Sequence, residues 1–395
     1  MKKHKIKNNI LFIFLVTILI GLVCILNYKM DPYSLFKNKH YMILSNYPIE
    51  LIYPVMKIYK DQKSDTVIIG GSETTSLFDE QFKNFFNNIS IEGINFSQYS
   101  ELLDAYIKLH PETKKVIIVI SYVNIINDIG ITIPKFNETN ITLKEYQRIL
   151  FSNDVTYRSL LSVKDHFIYK YFNNKLNIEN EKFFIEFKPK QADKYEADLY
   201  ELKELEKKNF NNVNSIIKML DKKNIDYIFI IPPYNATFLS IMYNQEHFQY
   251  YIDNFRRFLV SIVPNDKKIY DFAFVNKYTS SNMYENKDAL YINLSHPTII
   301  FGIKIFKILY NHKNADHSLY FILNKENVES IIKKENKLLK NYIKNNTKII
   351  EYYTELRDSQ REEDILYLKR IYEDSMSNDS KEEYKYLINN ISKYN

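Results

Sequence analysis

At 395 residues, with 45% hydrophobic and 26% charged side chains, the chain is long enough for one large domain or two ordinary ones and too apolar for global disorder. Its 6 glycines, 10 prolines and single cysteine, Cys24, exclude collagen-like and Gly-rich architectures, a disulfide framework and a Cys-based zinc site. The net charge of +6 belongs to the N-terminus: Lys2, Lys3, Lys5, Lys7 and Lys29 account for five of the 54 basic residues, which leaves 49 against 48 acidic ones and gives no support to a nucleic-acid partner.

In chain order, residues 1–9 form a basic segment and 10–27 an apolar one. Ile10 to Leu26 is uncharged over 17 residues, a reach of about 25 Å in helical form, near the lower limit for a bilayer. The lysines before it predict a cytoplasmic N-terminus and an extracytoplasmic remainder. The residues after Gly21 lack the small side chains of a cleavage site, and Val23 precedes Cys24 where lipidation prefers a smaller residue. The expectation is a single-pass signal anchor, held in the lipid bilayer, with 28–63 as a juxtamembrane connection.

Residues 64–312 alternate short apolar runs with helical patterns. Thr66–Gly70, Ile91–Phe96, Lys115–Ser121, Tyr227–Ile231 and Lys268–Phe272 read as five strands. The clearest runs are continuous rather than alternating, as expected for strands covered on both faces. Helical spacing marks Ser100–Leu109, Ala197–Leu220, Phe248–Ile262 and Thr298–Leu309. This alternation predicts a doubly wound, mostly parallel α/β sheet. Residues 131–190 fit poorly and read as a helical insertion. Residues 320–395 read as a charged, amphipathic helical tail that packs back on the domain or frays, with a partner-binding appendage as the alternative.

The chemistry concentrates at Gly70-Gly71-Ser72-Glu73-Thr74-Thr75. A buried strand ends at two of the six glycines and presents a serine at the start of a helix, on the strand edge where open α/β sheets bind ligands. The alternative is an N-cap serine on an ordinary βα turn. Neither the phosphate-loop nor the dinucleotide glycine pattern is present. A serine nucleophile needs a base. Of eight histidines, His296 lies in the Tyr291–Pro297 loop ahead of an apolar helix, where it can reach the same edge. No metal-ligand motif is visible, and no cofactor or metal is expected.

Gly-Gly-Ser-Glu-Thr-Thr after a strand, Pro232-Pro233-Tyr234 after the penultimate strand, and Asn293-Leu294-Ser295-His296-Pro297 before the last helix resemble the SGNH/GDSL hydrolase superfamily. The nearest likeness is to its membrane-anchored extracytoplasmic branch, which includes the lipoteichoic-acid D-alanylation protein and the alginate-type O-acetyltransferases. The resemblance spans about residues 60–312. It implies a flavodoxin-like three-layer fold, Ser72 as nucleophile, His296 as general base, and Gly71, Ser97 and Asn124 as oxyanion-site candidates. It also implies an acyl or acetyl group on a cell-surface glycopolymer as substrate, with a membrane-bound O-acyltransferase as partner. Where the family carries an acid three residues before the histidine, this chain has Asn293. Three outcomes stand open: a working dyad, an acid from elsewhere such as Asp271 or Asp288, or an inactive scaffold that binds a polysaccharide or an assembly partner.

Overall fold

The computed structural model describes residues 2–30, 52–58, 64–78, 82, 85–94, 96–122, 156–157, 159–160, 199–243, 248–280, 290–291, 295–313, 315–352 and 354. The expected helical insertion falls almost entirely outside them.

Six strands form one sheet: β1 (Thr66–Ile69), β2 (Asn87–Asn88), β3 (Lys115–Val119), β4 (Asp226–Ile231), β5 (Lys268–Asp271) and β6 (Phe321–Leu323). Their order is β2-β1-β3-β4-β5-β6; the first five run parallel, and β6 is antiparallel to β5. The central strands are β-branched because both faces are covered. Val67, Ile69, Val116, Ile118, Phe229 and Ile231 enter one core cluster, while Ile68, Ile117, Val119, Ile228 and Ile230 enter the other. Successive strand side chains point to opposite faces, so every position in such a run meets apolar contact.

The first cluster packs α2 (Ile52–Ile58), α4 (Tyr99–Leu109), α5 (Leu199–Lys222), α6 (Ala236–Tyr243), α7 (Phe248–Ile262) and α9 (Val328–Asn345) on one face. The second packs α3 (Ser72–Leu77) and α8 (Ile299–Leu309) on the other. The chain passes from β1 outward to β2, then returns across β1 to β3. The crevice beyond β1 and β3 is therefore a topological switch point, the place where such sheets hold ligands.

Several expectations need correction. The sheet has six strands, not five. Ile91–Phe96 is not the second strand; that place belongs to the polar pair Asn87-Asn88, which is a strand only through its pairing with Val67 and Ile68. The tail does not begin as helix: Phe321–Leu323 closes the sheet edge before α9 starts. Residues 52–58 are not merely a connection, since Ile52, Val55 and Met56 are fully buried in the first core cluster.

At the N-terminus, α1 (Lys2–Met30) is one continuous helix. Its side chains are described for 14–29, and Phe14, Leu15, Ile18, Leu19, Leu22 and Ile25 among them are exposed. No helix among the described residues is long and apolar enough to cross a membrane.

Candidate active site

Gly70 and Gly71 carry the chain from β1 into α3. A Cβ at Gly70 would lie 1.8 Å from Thr74 Oγ1, so only glycine lets α3 fold back over the strand end. Gly71 caps the helix, and its carbonyl accepts from Thr74 N at 3.1 Å and Thr75 N at 3.3 Å. Ser72 is thereby held on the first turn, half-buried, at the switch-point crevice.

His296 arrives on a loop closed at both ends. Tyr291 bridges Pro297, and Thr298 N donates to Leu290 O at 2.8 Å. Helix α8 then departs against α3. A Cβ at Gly302 would stand 1.8 Å from Leu77 O, so this glycine is what allows the two helices to touch backbone to side. That contact brings the histidine loop to the serine.

His296 Nε2 lies 2.8 Å from Ser72 Oγ, across 224 residues of sequence. His296 Nδ1 lies 3.0 Å from Ser295 Oγ, and Ser295 is buried. An imidazole whose Nδ1–H is taken by Ser295 presents its Nε2 lone pair to the serine hydroxyl, the arrangement a base requires. Burial pushes the His296 imidazole down to about 4. It is therefore neutral at pH 7 and free to accept a proton.

The neighbouring carboxyl is Glu73, 2% exposed on the first turn of α3. Burial pushes it up to about 7, against the lowering effect of the Ser121 and Ser72 hydroxyls nearby. Tyr234 extends the network: its hydroxyl bonds to Ser121 and accepts from Tyr122 N at 2.9 Å. Sequence reasoning missed Glu73, Ser121, Tyr234 and Ser295 as members of the site. The signals were adjacency to Ser72 and His296 and the Pro-Pro stop that aims Tyr234 beyond β4.

The remaining candidates divide. Ser97 sits half-buried on the 3-10 turn Phe96–Gln98, in the connection after β2. Asn124, Asn293 and Asp288 lie outside the described residues. Asp271 is not a partner of His296 in this geometry. Its two oxygens accept from Arg256 Nε at 2.7 Å and Ala273 N at 2.9 Å. Arg256 also pairs with Glu335 of α9 at 2.6 Å and with Asp253 at 3.8 Å, and this buried ion cluster flanks a small cleft lined in part by Tyr122, Leu239 and Leu339. The cleft's charged groups are already paired with one another, and it does not contain Ser72 or His296.

No protein-family model and no curated protein matches this chain. Among solved structures, one from Streptococcus pneumonia, provisionally named a platelet activating factor, matches 66% of this chain and 91% of its own at 12% identity, with a TM-score of 0.34. At that score the likeness carries no conclusion about chemistry.

Proposed function

We propose that this chain is a membrane-anchored, extracytoplasmic serine acyl-transfer enzyme of SGNH type, acting on an acyl or acetyl group of a cell-surface glycopolymer. The observation that carries the reading is the 2.8 Å contact of Ser72 Oγ with His296 Nε2 at the carboxyl edge of a parallel sheet. A nucleophile with a base in hydrogen-bond reach, delivered from opposite ends of a domain to a switch-point crevice, is the minimal machinery of acyl transfer. The exposed apolar side chains of α1 support the anchor, and the resemblance of the glycine–serine and histidine blocks supports the substrate class and a membrane-bound O-acyltransferase as acyl donor.

Ser72 Oγ attacks the acyl carbonyl carbon while its proton passes to His296 Nε2. The tetrahedral oxyanion collapses, the departing oxygen takes that proton, and the acyl group remains on Ser72. Water or a polymer hydroxyl then attacks the ester, with His296 again moving the proton, which gives hydrolysis or transfer. Backbone N–H groups at Gly71 and Ser72, with Ser97 and Asn124, are the candidates for the oxyanion.

The full chain should be labelled by a fluorophosphonate and should release acetate from an acetyl ester. Ser72→Ala should abolish both, and His296→Gln should lower both by about 10²-fold or more. Labelling that survives Ser72→Ala removes Ser72 as the nucleophile. A second reading, a non-catalytic scaffold, is favoured by one feature: the His296 ring is held by the Ser295 hydroxyl at Nδ1 and driven toward neutrality, which leaves an imidazolium poorly stabilised. Asn293→Asp separates the two, because a silent protein that stays silent belongs with the scaffold.

A further inference from the structure

Helix α9 carries a stripe of lysines. Lys333, Lys337 and Lys340 recur at intervals of four and three residues, the spacing that sets side chains one above another on a single helix face. All three are exposed and line an open cleft between α9 and α7, and exposed Lys344 continues the stripe one turn further. Like charges so spaced destabilise an isolated helix. α9 carries them because its other side chains, Val328, Ile331, Ile332 and Leu339, are buried in the first core cluster.

The two acids of the cleft are already engaged. Glu329 accepts from Arg257 Nε at 2.6 Å and from Arg257 Nη2 at 3.0 Å. Asp253 accepts from Gln249 Nε2 at 2.8 Å and from Asn336 Nδ2 at 3.3 Å, with Arg256 at 3.8 Å. Among the described residues no carboxylate pairs with Lys333, Lys337 or Lys340. The cleft therefore presents three surplus cations.

The stripe also has a direction. β6 leaves the carboxyl edge of the parallel strands at Phe321, opposite Asp271, and ends at Leu323, opposite Ile269. α9 then runs back. Near its end the Tyr342 hydroxyl lies 3.1 Å from Thr237 Oγ1, on the first turn of α6 just beyond β4. The lysines thus climb, in steps of about 6 and about 4.5 Å, toward the edge that holds Ser72 and His296.

We propose that this face of α9 seats a linear polyanion, the phosphate- or carboxylate-bearing stretch of the glycopolymer whose acyl group is brought to Ser72. The proposal rests on the reading of a surface glycopolymer as substrate and adds its charge and its track across the protein. Lysine ammoniums are point charges that take phosphate and carboxylate alike, so an anionic repeat is the shared chemistry. Among the described residues no aromatic ring lines the cleft, which denies the bases of a single-stranded nucleic acid a stacking platform. A bilayer surface is flat, whereas these lysines line a concave wall.

The test uses the full chain in neutral detergent micelles with two fluorescent polymers, polyphosphate and polygalacturonate, in a polarisation titration from about 50 to about 300 mM salt. At least one should bind, and the arm that does identifies the anion. Lys333→Gln/Lys337→Gln/Lys340→Gln should weaken that binding at least about tenfold at the low salt and flatten the log–log salt slope by about 2. Lys218→Gln/Lys222→Gln/Lys313→Gln, exposed lysines elsewhere with the same loss of charge, should change it less than about twofold. In the wild type, bound polymer should shield Lys333, Lys337 and Lys340 from acetic anhydride, a readout by mass spectrometry that needs no variant. Equal weakening in the two triple variants overturns the proposal, as does a wild type that binds neither polymer. Shielding by phosphatidylglycerol micelles but by neither polymer also overturns it and makes the stripe a lipid-facing one. Ser72→Ala should bind as the wild type does. A chain that binds polymer through the stripe but is never labelled by a fluorophosphonate keeps this proposal and loses the nucleophile reading; a chain that is labelled but binds no polyanion loses this proposal alone.

Discussion

The imidazole of His296 is gripped by hydroxyls at both nitrogens, Ser72 and Ser295. Replacing Ser295 with alanine removes the Nδ1 partner and lets the ring reorient. The expected outcome is a fall in kcat of about fivefold with KM unchanged, the worth of one neutral hydrogen bond, read from acetyl-ester kinetics. The two titrating neighbours also leave opposite marks on stability. His296 is lowered in the fold, so the unfolded chain takes up its proton first as pH falls. The stability it contributes is present above about 6.5 and lost toward about 4, about 3 kcal/mol in all. Glu73 is raised in the fold, so its contribution is present below 4.5 and lost as pH climbs through about 7. The two slopes nearly cancel between pH 5 and 6, and the wild type conceals both. Glu73→Gln should therefore be more stable than wild type at pH 8, by about 3 kcal/mol, and indistinguishable from it at pH 4, as read from chemical denaturation at the two pH values.

Among the elements, the crossing of α3 and α8 holds the site together. Gly302 meets Leu77 O so closely that a methyl group must push backbone aside. Gly302→Ala should cost about 3 kcal/mol in chemical denaturation and, by moving the histidine loop, lower labelling of Ser72 even where the fold survives. This geometry explains what a linear reading reaches. The glycine pair, the serine and the histidine are conspicuous because their residue types announce a turn and a proton transfer, and β1, β3, β4 and β5 are conspicuous because burial on both faces demands unbroken apolar runs. Asn87-Asn88 carries no such mark, since nothing in two asparagines indicates a strand until β1 is beside them. Phe321-Ile322-Leu323 is too short to stand out from the helical pattern that follows it. Glu73 looks like a solvated acid on the first turn of a helix. It is buried by β3, by Tyr99 of α4 and by the connection after β4, all distant from it in sequence.

For the whole molecule, the decisive joint is the one between the sheet and its C-terminal helix. Arg256 on α7 is 2% exposed and faces Asp271 of β5 and Glu335 of α9, so a single guanidinium pins three elements. Arg256→Met leaves these carboxylates buried without their cation. The expected loss is about 3–5 kcal/mol at pH 7, smaller at pH 5 where Glu335, whose carboxyl burial pushes up, can take up a proton, as followed by denaturant melts at both pH values. Tyr122 lies under the same guanidinium, 5.7 Å from its ring centroid, and its backbone N–H holds Tyr234, so the joint borders the network that ends at Glu73. There is a further consequence for how the protein is made. The ribosome delivers Ser72 early and His296 224 residues later, and Glu335 follows later still. On the proposed reading, the Ser72 hydroxyl of a nascent chain therefore waits through those 224 residues before its base is made, and the pair can form only once α8 has docked on α3.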